Sequence, residues 1–396
     1  MIIVKADDLF ILIKADAICE LSKTRHFALA AYLTYAILGN NIKSQTKSER
    51  EAYMKLHDRK PDIGNLYKIF RGEAPSRPTL FELFLNRPLY ERLAGREFKD
   101  GGDNPEFESL KLVIDAYRAA GYDYATSQGC SIGFKTERRS RKDTISLNEG
   151  FVITDEKSFE EYEWPEPENY DYSRLDKAAE YMPEGFKLMV MGPGGVLENA
   201  IALTGYDNLC YMIYENPALA KAIFDNVGGI LLKYYSLVAP RPGVGFIMSN
   251  DDWGFKGQTF LSPKHMREYV LPWHKKIVDV AHSHNLYAVL HSCGNLNEVM
   301  DDVIDYCGFD AKHSFEDVIM PIEDAYEKWN GRIALLGGID VDFVVSRSEE
   351  EITERCRAML ARAAERGGYA LGTGNSVPEY VPQEKIIALF KAALEY

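Results

Sequence analysis

No apolar run in this 396-residue chain reaches the roughly 18–20 residues that a membrane-spanning helix needs. The longest candidate, residues 27–38, follows Lys23, Arg25 and His26 and precedes Asn40, Asn41, Ile42 and Lys43, with no small-residue cleavage site. It reads as an amphipathic helix, neither a span nor the core of a signal peptide. Paired cysteines are also missing. The six Cys, at 19, 130, 210, 293, 307 and 356, include no CxxC and no framework spacing. That excludes a disulfide scaffold and suits a reducing cytoplasm, where any special Cys is catalytic or metal-bound. Positive charge is short as well: 46 Lys and Arg face 60 Asp and Glu, for a net charge of -14. Nucleic acid and anionic membrane surfaces are thereby poor default partners. No glycine-rich phosphate loop follows a first strand. The nearest stretch, Gly192-Pro193-Gly194-Gly195, reads as a turn because of its Pro, which counts against a doubly wound nucleotide-binding sheet.

What is present is a long alternation. Residues 1–55 stand apart, an apolar segment followed by a polar Lys/Ser/Thr/Glu stretch at 43–51, and read as an N-terminal helical extension. An in-frame start at Met54 is the alternative. Strand-like runs then recur at 78–84, 122–127, 187–191, 244–249, 286–290, 309–313, 333–336 and 369–371. Between them lie segments with apolar residues at three- and four-residue spacing, among them 215–238, 263–282, 296–306 and 348–366. Ser262-Pro263 opens one of these with a cap-plus-proline signal. Strands alternating with helices over residues 56–396 predict an α/β fold, a (β/α)8 TIM barrel. The Pro-rich acidic stretch 163–172 is a loop over one barrel face, its aromatics lining a pocket mouth or anchoring the loop.

His291 and Cys293 are the most informative pair. They lie two residues apart at the end of the apolar run 286–290, and alternate strand residues share a face. Imidazole plus thiolate is a favoured zinc pair, while a core His beside a buried thiol is the plainer reading. Barrel sites are built at strand C-terminal ends, and ligand-capable residues gather there: Asn250, Asp251, Asp252 and Trp253; His291 and Cys293; His313 and Glu316; Asp340; Gly372, Thr373, Gly374 and Asn375. Trp253 is placed to stack on a flat ligand. His265, His274, His282 and His284 read as surface residues on or beside one helix.

The ordered set Phe260-Leu261-Ser262-Pro263, Tyr269, Leu271-Pro272-Trp273, His291-Ser292-Cys293-Gly294, Leu336-Gly337-Gly338-Ile339-Asp340 and Gly368-Tyr369-Ala370-Leu371-Gly372-Thr373-Gly374 resembles the uroporphyrinogen decarboxylase superfamily. Arg77-Pro78 is similar to the pair that opens the family's first strand. The resemblance covers about residues 70–396 and is strongest from about 244 onward. It implies one of two chemistries. The decarboxylases carry Arg-Gln-Ala-Gly-Arg after the first strand to grip a polyanionic tetrapyrrole. Here residues 79–86 hold no arginine and add Glu82, an electrostatic mismatch with such a substrate. His-x-Cys resembles instead the zinc-dependent, corrinoid-linked methyltransferase branch.

That resemblance implies zinc on His291 and Cys293, and a corrinoid protein as partner. The methyl group would move between a small O-, N- or S-methyl compound and the corrinoid protein or a thiol or folate acceptor. The thiol methyltransferases supply a second Cys near Thr373, which this chain lacks, so Glu316 is expected as third ligand with Asp251 and Asp252 in reserve. Asp251, Asp252 and Glu316 are the expected acid–base groups. Gly372, Gly374 and Asn375 are expected to wall the pocket, or to make an ordinary barrel turn. A cofactor-free decarboxylase relying on Arg77 and Lys312, and a non-catalytic corrinoid- or tetrapyrrole-partner binding protein, are the alternatives.

Overall fold

The computed structural model describes residues 2–6, 9–13, 56–98, 105–137 and 146–396. The chain divides into two compact units, Met1–Tyr53 and Met54–Tyr396. In the first, the described residues form two strands, β1 (Ile2–Ala6) and β2 (Leu9–Ile13), antiparallel with Ile2 opposite Ile13. Their aliphatic, β-branched composition favours the extended chain. The helix expected at 27–38 falls outside the described residues. The described part of the expected helical extension is therefore a hairpin.

The second unit holds a sheet of seven parallel strands in sequence order. They are β3 (Tyr124–Gln128), β4 (Lys187–Met191), β5 (Val244–Asn250), β6 (Tyr287–His291), β7 (Ala311–His313), β8 (Ala334–Leu336) and β9 (Tyr369–Ala370). Helices cover the outside, so the strands are buried on both faces. In β5 every residue is buried, which is why these strands read as near-continuous apolar runs. Sequential neighbours pair throughout, the order that repeated βα units produce in a TIM barrel.

The expected first strand, 78–84, is reduced to a single rung. Leu80 makes one parallel bridge with Leu371; the Phe81 amide donates to Leu371 O at 2.7 Å and the Leu371 amide to Thr79 O at 2.9 Å. Pro78, lacking an N–H, cannot extend the ladder backwards. On the other side, hydroxyls replace backbone pairing. Tyr124 Oη accepts from the Glu82 amide (2.8 Å) and donates to Glu82 O (2.6 Å), and Thr126 Oγ1 donates to Leu83 O (2.8 Å).

Two features bring the site together. Ser262 caps the helix that begins at Pro263–His265, as its sequence signal predicts, and accepts from the His265 amide. This run widens to a π-turn over Met266–Val270 before Leu271–Ser283, at the point where Pro272 withdraws a backbone donor. The widened run carries His274 inward against β5. Among the described residues, no helix is long and apolar enough to cross a membrane.

Candidate metal centre

In register, Asn250 of β5 pairs with His291 of β6, and His291 with His313 of β7, so three polar residues share one layer at the C-terminal rim. His291 and Cys293 converge as their spacing predicts, with Sγ 3.9 Å from Nε2. Asp252 completes the group: its Oδ1 lies 3.8 Å from His291 Nε2 and accepts from the Cys293 amide at 2.9 Å. One ligand atom from each of the three falls within 4.8 Å of the other two. Two further donors aim at the sulfur, Asn375 Nδ2 at 3.3 Å and Ser314 Oγ at 3.4 Å. Ser314 adopts φ 83, a left-handed conformation unusual for a non-glycine residue, to bring its hydroxyl there.

The protonation pattern follows from geometry. His313 Nε2 lies 3.2 Å from Thr373 O, which can only accept, so this nitrogen carries the proton. Burial holds the ring's pKa well below the usual histidine value, so its Nδ1 is bare. His291 Nδ1 stands 2.8 Å from that bare Nδ1 and must donate to it. Burial, and then the charge of Lys312, push His291 down to about 3, so its Nε2 is a bare lone pair facing Cys293 and Asp252. Burial, then the Asp252 charge, raise the Cys293 thiol to about 12. Lys312 is also buried, which lowers it to about 8; its Nζ donates to Ser314 O at 2.6 Å and lies 4.2 Å from the Phe315 ring centroid. An imidazole lone pair, a thiol and a carboxylate within one coordination radius are a donor set that fits zinc.

Several expected residues are placed differently. Glu316 is outside the cluster. It borders an adjoining cavity of about 360 Å³ with Lys256, Phe315, Asp340, Asn375 and Tyr380, and Asn375 joins that cavity to Cys293. The third donor is Asp252. Asp251, expected as an acid–base group, is wholly buried and committed elsewhere: its oxygens accept from the Leu197 and Glu198 amides, both at 2.9 Å, and from His274 Nε2 at 2.9 Å. His274, expected at the surface, is therefore a core residue, its Nδ1 meeting Ser249 Oγ at 2.9 Å. His265 is buried as well. Trp253 has no exposed face for a ligand; it packs edge-on against His274, with ring centroids 5.0 Å apart.

Gly372 and Gly374 serve close backbone approach. A Cβ on Gly372 would stand 1.6 Å from Phe81 O, and one on Gly374 2.0 Å from Phe315 O. Neither glycine has a positive φ, as an ordinary turn would require, and Gly374 and Asn375 line the cavity that Glu316 borders. In the loop 163–172, Trp164 clusters with Phe134, Phe159 and Tyr162, so its aromatics anchor the loop.

Sequence reasoning gave no role to Ser314 or Glu198 and none to His313 beyond its place at a strand end. The signal for His313 was in plain view, a second His at the matching end of the next strand. Glu198 is raised to about 8 by burial and by the neighbouring Asp251 and Asp252 carboxylates, and it follows no strand directly.

The family model for Uroporphyrinogen decarboxylase (URO-D) matches residues 151–396. Among solved structures, a methyltransferase from Methanosarcina mazei superposes with a TM-score of 0.64 at 17% identity, over 85% of this chain and 99% of the other. A B12-independent methionine synthase from Shewanella sp. W3-18-1, in complex with selenomethionine, gives 0.50 at 15% identity, over 80% and 96%. No curated protein sequence matches.

Proposed function

Since this chain belongs to the uroporphyrinogen decarboxylase (URO-D) family, we propose that it is a zinc-dependent methyltransferase. It passes a methyl group between a small O-, N- or S-methyl compound and a corrinoid protein or a thiol or folate acceptor. The observation that carries this reading is the convergence of His291 Nε2, the Cys293 sulfur and an Asp252 carboxylate oxygen within one coordination radius. The two similar structures, a methyltransferase and a methionine synthase, agree with it.

Zinc held by these three residues supplies a Lewis acid for a donor heteroatom, or lowers the pKa of an acceptor thiol. The chain supplies the rest. Asn375 and Ser314 hold the Cys293 sulfur by donating to it. Glu316, in the wall of the cavity that Asn375 shares, is placed to give or take a proton on a ligand bound there. Lys312, with its ammonium held by backbone carbonyls, adds positive charge beside Cys293.

A decarboxylase gripping a polyanion fits these residues poorly. Arg77 stands before β3, at the opposite end of the strands, where it pairs with Asp123 at 2.6 Å. Lys312 is occupied as described. Elemental analysis of the purified protein decides the proposal. Near-stoichiometric zinc that is lost in Cys293→Ala and in Asp252→Ala is expected, and a metal-free wild type overturns it.

A further inference from the structure

The His291 ring is set by something deeper than its own strand. Its proton donor contact goes to His313, and His313 is held in turn by the Thr373 carbonyl. Thr373 is pinned from below by a fully buried carboxyl. Its amide donates to Glu82 Oε1 at 2.7 Å, and its hydroxyl lies 2.7 Å from Glu82 Oε2. The same hydroxyl lies 2.5 Å from Asn375 O. A carbonyl only accepts, so the single hydroxyl proton goes to Asn375 O and the other contact takes its proton from Glu82. Glu82 is thus a neutral carboxylic acid here, as its complete burial also favours. From Thr373 two branches run outward. One passes through His313 to the imidazole of His291; the other passes through Asn375, whose Nδ2 reaches the sulfur of Cys293.

We propose that His313 is the positioning residue of this centre, and that the buried Glu82–Thr373 pair is the anchor that holds it. Together they present the bare Nε2 of His291 to the cluster. The inference rests on the metal reading of the site but is tested apart from it. A partner that fixes a ligand's tautomer saves the cost of selecting it on binding, and losing such a partner typically weakens metal binding by 10–100-fold.

The first measurement is ¹⁵N NMR of the histidine-labelled, metal-free protein. His291 is expected with its proton on Nδ1; a proton on Nε2 overturns the inference. The second is zinc affinity by chelator competition. His313→Leu is expected to weaken zinc by roughly 10–100-fold and to release the His291 tautomer. His313→Asn, whose amide oxygen can stand where Nδ1 stood, is expected to restore most of both. His313→Leu with wild-type affinity and an unchanged tautomer overturns the proposal. A His313→Leu protein that fails to fold leaves the wild-type spectrum and the Asn variant to decide. A wild type that binds no zinc defeats the metal reading alone, because the tautomer needs no metal.

Discussion

A carboxyl with no exposed surface titrates where its surroundings put it. Burial raises Glu82 from the ordinary carboxyl value of 4.5 to about 8, more than the two Thr373 contacts lower it. The folded chain therefore holds this proton more tightly than the unfolded one. The stability it contributes is full below about pH 4.5 and is lost as pH rises through about 8. A shift of this size corresponds to roughly 4–5 kcal/mol at most. His291 acts in the opposite direction: lowered from 6.5 to about 3, it contributes stability above pH 6.5 that is lost as pH falls through about 3. Glu82→Gln keeps the shape and removes the titration. Thermal melts between pH 5 and 8 should show the wild type losing more stability with rising pH than this variant; parallel curves would exclude a neutral Glu82. At this scale the sequence showed which residues reach the rim and not which way each faces. His291 and Cys293 were legible because strand periodicity alone makes them converge. Asp252 was only one of three candidates for the third position, because its choice over Glu316 depends on a hydrogen bond from the Cys293 amide, and no spacing rule encodes that contact.

Asp251 belongs to an element, the helix Val196–Thr204, whose first amides it caps with both oxygens. A carboxylate there satisfies orphan N–H groups and meets the positive end of the helix dipole. Its approach requires Gly195, where a Cβ would lie 2.0 Å from the Asp251 side chain. Asp251→Ala strands two amides and His274 in the interior, so we expect a loss of about 3–5 kcal/mol by chemical denaturation, with zinc affinity unchanged in the folded protein. Unchanged stability would remove the capping role. Gly374→Ala forces a methyl group against Phe315 O and should cost at least about 1–3 kcal/mol; a melting temperature equal to wild type would count against the close approach. Elements themselves were largely legible. Seven of the eight apolar runs are strands within a residue or two of their expected bounds, because buried parallel strands carry uninterrupted apolar sequence. The helix expected at 296–306 forms only near its end, at Asp302–Cys307, closed by Gly308 at φ 76.

At the scale of the whole barrel, the weak place is the seam beside residues 79–83. One bridge joins that segment to the last strand, and the hydroxyls of Tyr124 and Thr126 join it to β3. The first run, 78–84, was apolar enough to be read as a strand, but pairing depends on a partner edge that a sequence pattern does not contain. The seam also bears on the chemistry, because Tyr124 holds the backbone of Glu82 while the Glu82 side chain holds Thr373. Tyr124→Phe deletes one buried oxygen, leaves the Glu82 amide without a partner and leaves its carbonyl only the longer 3.5 Å contact from Tyr117 Oη, at a cost of about 1–3 kcal/mol. Hydrogen exchange should quicken in residues 79–83 while β5, β6 and β7 keep their protection. If the anchor works as inferred, the same variant also weakens zinc, whereas Asp251→Ala, at no lower cost in stability, does not. Equal zinc affinity in both variants would show that the seam closes the barrel without steadying the centre. A difference between them would tie the barrel's closure to the imidazole some way above it, through Glu82, Thr373 and His313.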